Sequence, residues 1–263
     1  MKKVVEDIRK FWNYTKHSSS AELKSEVAGS FLSWLWWILD PLLYMLVYSF
    51  VAIIVFRSSE PYFPVFVFIG LNCWNLFSKV VRNSVKLVSN NKSIVTKVFI
   101  PKYIFILQKI GVNGFKMIVS FALTAVLMVF YKVPISFRVL WVIPLWILLA
   151  IISFAVSSIV MHFGVFVEDL LNVITVVLQF GFYLSGIFYS IDTRIAVKHP
   201  TLANLLINLN PVALIITDMR RVLLYNQDPH FMSLAIWFVI ATAISVLGIK
   251  IIYRYENSYV KII

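Results

Sequence analysis

Long apolar runs separated by polar segments dominate the chain. A helix that crosses the ~30 Å hydrocarbon core of a bilayer needs roughly 20 mainly apolar residues. We predict six membrane-spanning helices, at residues 31–56, 61–78, 104–131, 139–167, 170–191 and 231–253. This pattern predicts an all-α polytopic membrane protein, organised as a single transmembrane domain over residues 1–263.

The segments outside these runs carry apolar residues of their own. Residues 4–26 mix apolar and charged side chains, which predicts an amphipathic helix in the membrane interface, with a disordered basic tail as the alternative. Residues 79–103 form a loop long enough to be an ordered element. Residues 192–230 hold two short apolar pieces broken by Pro200 and Pro211. We expect these pieces to form short helices that dip partway into the membrane.

The composition supports lipid as the solvent. Hydrophobic residues make up 60% of the chain and charged residues 14%, and the mean hydropathy is +0.87. Soluble domains average about a quarter charged residues, so this chain would expose large apolar patches in water. A single cysteine, Cys73, cannot form an intrachain disulfide.

The basic residues indicate the orientation. The net charge of +12 sits between the apolar runs, which argues against a nucleic-acid-binding face. With a cytoplasmic N-terminus, sixteen of the 24 Lys and Arg residues fall inside and seven outside, and Lys116 lies within a span. Cytoplasmic segments carry such an excess. The sequence therefore predicts that both termini are cytoplasmic.

The residue types that carry catalysis do not cluster. Glu168 and Asp169 are adjacent in a predicted inner loop, so on a helix they would point about 100° apart. The charges within spans, Asp40 and Lys116, do not make a proton relay. The histidines lack metal-ligand spacing, and no glycine precedes a lysine, which excludes a phosphate-binding GxxxxGK(S/T) loop. We predict no catalytic residue, metal or cofactor, and energy supplied by a partner.

Aromatic residues, 16% of the chain, fall near one face of the predicted first and fifth spans. Their flat apolar faces and polar edges suit sugar rings passing through a membrane. Interfacial belts and ordinary packing are the alternative explanation. The translocation path that this pattern predicts consists of Trp34, Trp37, Tyr44, Tyr48, Gln179, Phe182, Tyr183 and Tyr189.

Four stretches, in this order, resemble one known family. They are GSFLSWLWWILDPLLYMLVYSF, FIGLNCWNLFSKVVRNSVKLVSNNKSIVTKVFIPKY, VFVEDLLNVITVVLQFGFYLSGIFYSID and LNPVALIITDMRRVLL. Together with the interface helix, they resemble the membrane subunit of ABC-2 type exporters for polysaccharides, which move O-antigen, capsule or wall teichoic acid. The resemblance covers nearly the whole chain. Three positions depart from it: Asp40 stands where Asn is common, Glu168 where Arg is frequent, and Gly186 where Pro is frequent.

The resemblance implies a homodimer in the bacterial cytoplasmic membrane, bound to two copies of a cytosolic ABC ATPase that hold ATP and Mg. It implies a coupling helix at Ser93, Ile94, Val95, Thr96, Lys97, Val98, Phe99 and Pro101. It implies a gate helix with Lys10, Trp12, Lys16 and Lys24, whose lysines are predicted to attract a lipid pyrophosphate. It also implies outer re-entrant helices that include Asn210, Pro211, Arg220 and Arg221.

The predicted function is the permease subunit of an exporter for a lipid-linked polysaccharide, and not an enzyme. An ABC-2 exporter of a drug or a simple lipid is the nearest alternative. A polytopic membrane enzyme acting on polyprenyl phosphate would need clustered acids or a metal site, which the sequence lacks. A scaffold membrane protein is a third possibility, against which the ordered inner loop argues.

Overall fold

The computed structural model describes residues 2–28, 33–55 and 60–262, and all regular secondary structure in these residues is helical. The prediction of an all-α protein is therefore confirmed for this part of the chain. Residues 31, 32 and 56 of the predicted first span, and residues 29–30 before it, lie outside the described residues.

The helices follow one another in a simple order. They are α1 Lys2–Ala28, α2 Trp36–Phe50, α3 Phe63–Val85, α4 Leu87–Asn90, α5 Lys92–Val95, α6 Tyr103–Phe130, α7 Val142–Phe166, α8 Leu170–Leu184, α9 Ala196–Lys198, α10 Pro200–Leu209, α11 Pro211–Leu223 and α12 Phe231–Ile262. Short 3₁₀ turns precede α2 and α7, and single π-helical turns follow α2 and precede α9.

Four helical stretches in the described residues are long and apolar enough to cross a membrane: Phe63–Val85, Tyr103–Phe130, Phe137–Phe166 and Phe231–Tyr259. The pair α10 and α11, bent by 104°, gives a fifth if it counts as one broken span. By contrast, α2 and α8 have 15 residues each, or about 22 Å of helix. The chain is an integral membrane protein, while the count of six spans stays a prediction.

Helix α3 occupies the centre of the bundle. It contacts α2, α6, α7, α8 and α11. Within its apolar 18-residue stretch, 72% of the residues are buried inside the protein. Its buried side chains pack against Leu149 and Ile152 of α7 and Ile215 and Met219 of α11 in the largest apolar core. Burial by neighbouring helices, and not by lipid alone, therefore fixes its position.

Helix α3 continues to Val85, seven residues past the predicted end of the second span at residue 78. Lys79 and Arg82 suggested a loop. However, Val80, Val81 and Val85 are fully buried and keep the helical apolar stripe running past these charges. The segment between α3 and α6 therefore spans residues 86–102, with α4 and α5 inside it.

Polar contacts define two ends of the bundle. At the first, which we call the basic end, Lys102 forms a buried salt bridge with Glu256 at 3.2 Å. The hydroxyls of Tyr103 and Tyr253 lie 3.1 Å apart there, and Tyr253 donates to Asp7. These contacts join the start of α1, the start of α6 and the end of α12.

The second end, which we call the opposite end, holds a different set of pairs. Tyr225 donates to Glu60 at 3.3 Å, and Arg138 pairs with Asp228 at 2.7 Å. These contacts join the segment before α3, the segment before α7 and the segment after α11.

Helix α1 runs along the first half of α6. Ser19 donates to the carbonyl of Gln108 at 3.1 Å, Glu22 pairs with Lys109 at 2.6 Å, and Glu26 pairs with Lys116 at 2.6 Å. The contacts therefore advance in the same direction along both helices. The predicted amphipathic segment is a helix, while its place in the membrane interface stays a prediction.

Buried hydroxyls inside the bundle donate to carbonyls of their own helix. Ser84, Thr124 and Ser153 each donate to the carbonyl four residues earlier, at 2.7–3.0 Å. In lipid an unpaired polar group costs several kcal/mol, and bonding back to the i−4 carbonyl satisfies a serine or threonine locally. The apolar core therefore tolerates these polar residues.

A close approach between α7 and the end of α3 requires glycine at position 164. A Cβ atom on Gly164 would lie 2.0 Å from the carbonyl oxygen of Val85, whereas a Cβ on Gly114 would meet nothing within 4 Å. We expect Gly164→Ala to cost about 2 kcal/mol through overpacking. This corresponds to a Tm lower by about 4–8 °C for a chain of this size, measured by thermal unfolding in detergent.

Gly114→Ala is the matched control. Alanine is the better helix former by roughly 0.5–1 kcal/mol, so the Tm of this variant should stay the same or rise. Equal Tm values for the two variants would contradict the close contact between α3 and α7.

Candidate functional site

A groove of about 870 Å³ opens between α2, α3, α6 and α8. Both α2 and α8 pack on α3, so α3 forms the floor of the groove and α2 and α8 form its walls. The structure brings together six of the eight predicted path residues along this groove: Trp37, Tyr44, Tyr48, Gln179, Phe182 and Tyr183.

The other two predicted path residues do not line the groove. Trp34 is 53% exposed just before α2. Tyr189 follows α8, and its hydroxyl donates to the carbonyl of Tyr183 at 2.8 Å. The predicted face of the fifth span therefore ends with α8 at Leu184, because the chain turns away from the helix axis after that residue.

Aromatic rings join the two walls toward the opposite end. The ring centroid of Tyr48 lies 4.5 Å from that of Phe188 and 6.3 Å from that of Phe182, and Phe182 lies 5.9 Å from Trp74 on the floor. Ring pairs at 4.5–7 Å add about 0.5–1.5 kcal/mol each beyond their buried area. We call Tyr48, Phe182 and Phe188 the aromatic closure.

The other part of the groove is charged. Lys79 and Arg82 line it from α3, Lys116 from α6, and Asp40 from α2, together with Glu26 at the end of α1. The indole Nε1 of Trp37 donates to Glu26 at 3.2 Å, and the ammonium of Lys116 lies 5.9 Å from the Trp37 ring centroid. Helix α1 thus reaches the groove directly through Glu26.

Sequence reasoning missed the polar face of α3. Asn72, Asn75, Lys79 and Arg82 are spaced by three, four and three residues, which places them on one face of a helix. All four line the groove. The helical spacing of these four residues is visible in the sequence. However, a span that ends at residue 78 assigns two of them to the span and two to the loop.

The predicted coupling helix is largely irregular. Only α5, Lys92–Val95, is helical, and the chain then turns through residues 96–98. Val98 and Phe99 are 53% and 66% exposed, while Val95 is 5% exposed. Among the other predicted coupling residues, the structure exposes Ser93, Thr96 and Lys97, half-buries Ile94 and buries Pro101. The segment therefore forms an apolar tip at the basic end, anchored by buried residues on either side.

The predicted gate residues lie on the exposed side of α1. Trp12, Lys16 and Lys24 line a second groove of about 820 Å³ between α1 and α6, whereas the ammonium of Lys10 lies 5.4 Å from the ring of Phe11. The lysines of the gate helix are therefore not in the groove that holds the path residues.

Two further predicted positions form the turn between α7 and α8. Glu168 and Asp169 are both exposed there. The carbonyl of Asp169 accepts hydrogen bonds from the backbone N–H groups of Asn172 and Val173 at 3.0 and 3.3 Å. Asp169 is therefore the N-cap residue of α8, and Glu168 precedes it in the turn.

At the opposite end, Asn210 and Pro211 start α11. The side-chain oxygen of Asn210 accepts from the backbone N–H groups of Val212 and Ala213 at 3.1 and 3.2 Å, and Pro211 follows at the first helical position, where its missing N–H costs nothing. Asn210 also donates to the hydroxyl of Ser185 at 3.0 Å. This contact ties α11 to the turn after α8.

Arg220 fixes the same turn. Its side chain is 3% exposed and donates to the carbonyls of Phe66, Gly186 and Ile187 at 3.1, 2.7 and 2.9 Å. The guanidinium also stacks 3.4 Å from the ring centroid of Phe66. Arg221, its neighbour, is half-exposed and pairs with Asp192 at 3.3 Å.

Gly186 explains one departure from the family pattern. Its φ of +69° lies in the left-handed region, which glycine adopts freely and proline, with φ fixed near −65°, cannot reach. Because Arg220 bonds the carbonyls of residues 186 and 187, a proline here would change the geometry that these bonds require.

Comparisons with known proteins give a consistent result. No family model matches the chain. An O-antigen export system permease protein RfbA from Myxococcus xanthus is 29% identical over 209 residues, 79% of each chain. Two proteins of the same name from Klebsiella pneumoniae are 25% and 24% identical over 246 residues, 93% of each chain.

These similarities confirm the predicted resemblance to ABC-2 type permeases. All three relatives are named as permeases, the role that the resemblance implies for this chain. The groove gathers aromatic and basic side chains, and among the described residues no group of three or more acids, histidines or cysteines is placed to hold a metal ion.

Arg220 and Arg221 give a matched pair of substitutions. We expect Arg220→Lys to lose about two buried charge-assisted hydrogen bonds, each contributing roughly 1.5–3 kcal/mol. The Tm in detergent should fall by about 6 °C or more. Arg221→Lys removes contacts in a half-exposed ion pair with a contribution of ~1 kcal/mol or less, so its Tm should change little. Similar losses in both variants would argue against the three-carbonyl site.

The contact between His230 and Asp218 predicts a pH-dependent stability. The hydrogen bond that Nδ1 of His230 donates to the carboxylate of Asp218, at 2.6 Å, raises the pKa of His230, whereas its partial burial and Arg221 act in the opposite direction. Protonation is thus favoured by folding. This contribution is full below the unfolded pKa of about 6.5 and is lost as pH rises through the higher folded value.

We expect the Tm of the wild type to exceed that of His230→Gln by more at pH 6 than at pH 9, with both proteins measured in the same detergent. His199→Gln serves as the substitution control at an exposed position just before α10. A pH-independent difference for His230→Gln would refute the assignment.

Proposed function

We propose that the chain is the permease subunit of an ATP-driven exporter that moves a lipid-linked polysaccharide outward across the bacterial cytoplasmic membrane. The observation that carries this proposal is the similarity, over 79% to 93% of the chain, to three permeases of O-antigen export systems. The groove with six predicted path residues supports it. Because all three relatives carry the same name, export of a drug or a simple lipid is not favoured.

The groove suits a chain of sugars. Tyr44, Tyr48, Phe182 and Tyr183 offer ring faces that hold sugars by apolar stacking. In this proposal the basic end faces the cytoplasm with both termini, as the excess of positive charge requires. The aromatic closure is then the barrier on the outer side, and it must separate to let the polymer pass.

A second copy of the chain would complete the path. The exposed faces of α2 and α8 carry large apolar side chains, including Leu46, Phe50, Val177 and Phe180, each at least 51% exposed. The groove lies between these two faces, so two copies meeting there would enclose a conduit from two grooves. The homodimer is therefore part of the proposal.

A cytosolic ABC ATPase would supply the energy and hold ATP and Mg. The tip formed by Val98 and Phe99 is apolar and exposed at the basic end, where no lipid would cover it under the proposed orientation. Apolar side chains of this kind anchor interfaces by filling pockets in a partner. The tip is thus proposed as the contact with the ATPase.

The structure supplies a physical route from this tip to the groove. Lys102 lies 5.5 Å from the ring of Phe99 and pairs with Glu256, and the adjacent Tyr103 contacts the network that includes Asp7 of α1. Helix α1 then reaches the groove through Glu26. A displacement of the tip by the ATPase would therefore move α1 and α12 together. The movement of α1 would in turn shift the charged part of the groove.

Phe99→Glu tests the proposal. A charge at the tip should abolish co-purification with the ATPase subunit and should reduce export of lipid-linked glycan from proteoliposomes by at least tenfold, since an unpaired charge in an apolar pocket is strongly unfavourable. Phe137→Glu is the control, because Phe137 is equally aromatic and 93% exposed at the opposite end. It should keep both properties.

Two outcomes would exclude the proposal. One is export and ATPase association that survive Phe99→Glu unchanged. The other is ATP hydrolysis by the purified chain alone.

A further inference from the structure

Two basic residues in the groove are exposed and form no salt bridge with another residue in the described ranges. Lys79 and Arg82 lie three residues apart on α3, are both exposed, and both line the groove. Neither forms a salt bridge with a residue in the described ranges. Positive charges along a membrane helix are costly unless they are paired or meet water or a ligand.

The other charged residues of the groove do not neutralise Lys79 and Arg82 completely. Lys116 faces it from α6, but its ammonium is already bound to Glu26 at 2.6 Å. Asp40 faces it from α2 and is close enough to Lys79 to attract it electrostatically. With Glu26 and Lys116 neutralising each other, Lys79 and Arg82 outnumber Asp40, so this part of the groove has a net positive charge.

Neutral polar groups of α3 lie one helical turn before each of the two cations. Asn75 is four residues before Lys79 and Ser78 is four residues before Arg82, and both line the groove; amide and hydroxyl groups donate hydrogen bonds to oxygen. A guanidinium binds two oxygens of a phosphate at once, while a lysine acts as a point charge. The chemistry of this set fits a phosphate with several free oxygens.

The groove changes character along its length. Lys79 and Arg82 lie toward the basic end, whereas Tyr48 and Phe182, two members of the aromatic closure, lie toward the opposite end. We infer that the groove binds a phosphate-linked sugar, with the phosphate on Lys79 and Arg82 and the adjoining sugars on the aromatic rings. The inference rests on the proposed function and adds to it the group by which the substrate is recognised.

This site is distinct from the lysines of α1 that the sequence suggested for a pyrophosphate. Lys16 and Lys24 line the second groove, between α1 and α6. The phosphate on Lys79 and Arg82 has two possible sources, the diphosphate that joins a glycan to its lipid and phosphodiesters within the glycan itself. Both present the same oxygens next to a sugar ring.

Binding measurements on the permease–ATPase complex in lipid nanodiscs test the inference. The ligands are a polyprenyl-diphosphate-linked disaccharide and the same disaccharide joined to polyprenol without phosphate. The readout is tryptophan fluorescence, because Trp36, Trp37 and Trp74 line the groove. Wild-type protein should bind the diphosphate at least tenfold more tightly than the neutral ligand.

Three variants are expected to change the affinity for the diphosphate ligand in different ways: one lowers it, one leaves most of it and one raises it. The double variant Lys79→Gln with Arg82→Gln should lose about tenfold or more in affinity for the diphosphate ligand and keep its affinity for the neutral one, which also reports a folded groove. Lys79→Arg with Arg82→Lys keeps the charges and should keep most of the affinity. Asp40→Asn removes the competing carboxylate and should tighten diphosphate binding several-fold.

The matched control is Lys86→Gln with Lys250→Gln. It removes two positive charges at the basic end without touching the groove, so it tests whether charge near the membrane surface is sufficient. Diphosphate affinity should not change. A soluble sugar polymer with phosphodiester links, measured in parallel, identifies the source: tight binding of the polymer points to phosphates in the glycan, and weak binding points to the lipid linkage.

The inference fails if the wild type binds charged and neutral ligands equally, or if the control double variant loses as much affinity as the double variant in the groove. These outcomes differ from failure of the proposed function. If the complex does not export glycan at all, the proposed function fails, whatever the affinities; if it exports glycan and the groove variants bind and export like wild type, only the phosphate site is refuted.

Discussion

The fold and the groove both depend on one helix, α3, whose surface has to be apolar on one side and polar on the other. Helix α3 is enclosed by α2, α6, α7, α8 and α11, so most of its surface has to be apolar and closely packed. Its remaining face carries Asn72, Asn75, Lys79 and Arg82 toward the groove. The packed face holds the bundle together, and the polar face gives the groove its chemistry, so the same helix sets both the fold and the site.

The two ends of the bundle use charge differently. At the basic end, α1 is joined to α6 by Glu22–Lys109 and Glu26–Lys116, which connects the cytoplasmic surface of the proposed transporter to the groove. At the opposite end, Arg220 is satisfied by three carbonyls without a carboxylate. Pairing between helices lets parts move together, whereas the carbonyl site holds one turn in one geometry.

The turn held by Arg220 determines the shape of one end of the groove. It carries Gly186 and Ile187, follows α8, and is tied to α11 through Asn210 and Ser185. Phe188, two residues after Gly186, contacts Tyr48 of α2. The aromatic closure therefore depends on a turn held by Arg220 on one wall and on the ring of Tyr48 on the other.

The sequence by itself determined the class of protein, the all-helical fold, the transporter resemblance and six of the residues along the groove. These follow from local properties: lipid demands long apolar runs, and a helix puts residues three and four apart on one face. Only the tertiary structure decided that α3 extends past Lys79 and Arg82, that Lys116 meets Glu26, and that Arg220 meets Phe66, 154 residues away. The reason is physical, because these contacts arise from how helices pack against one another, and no local rule of length or spacing specifies which faces meet.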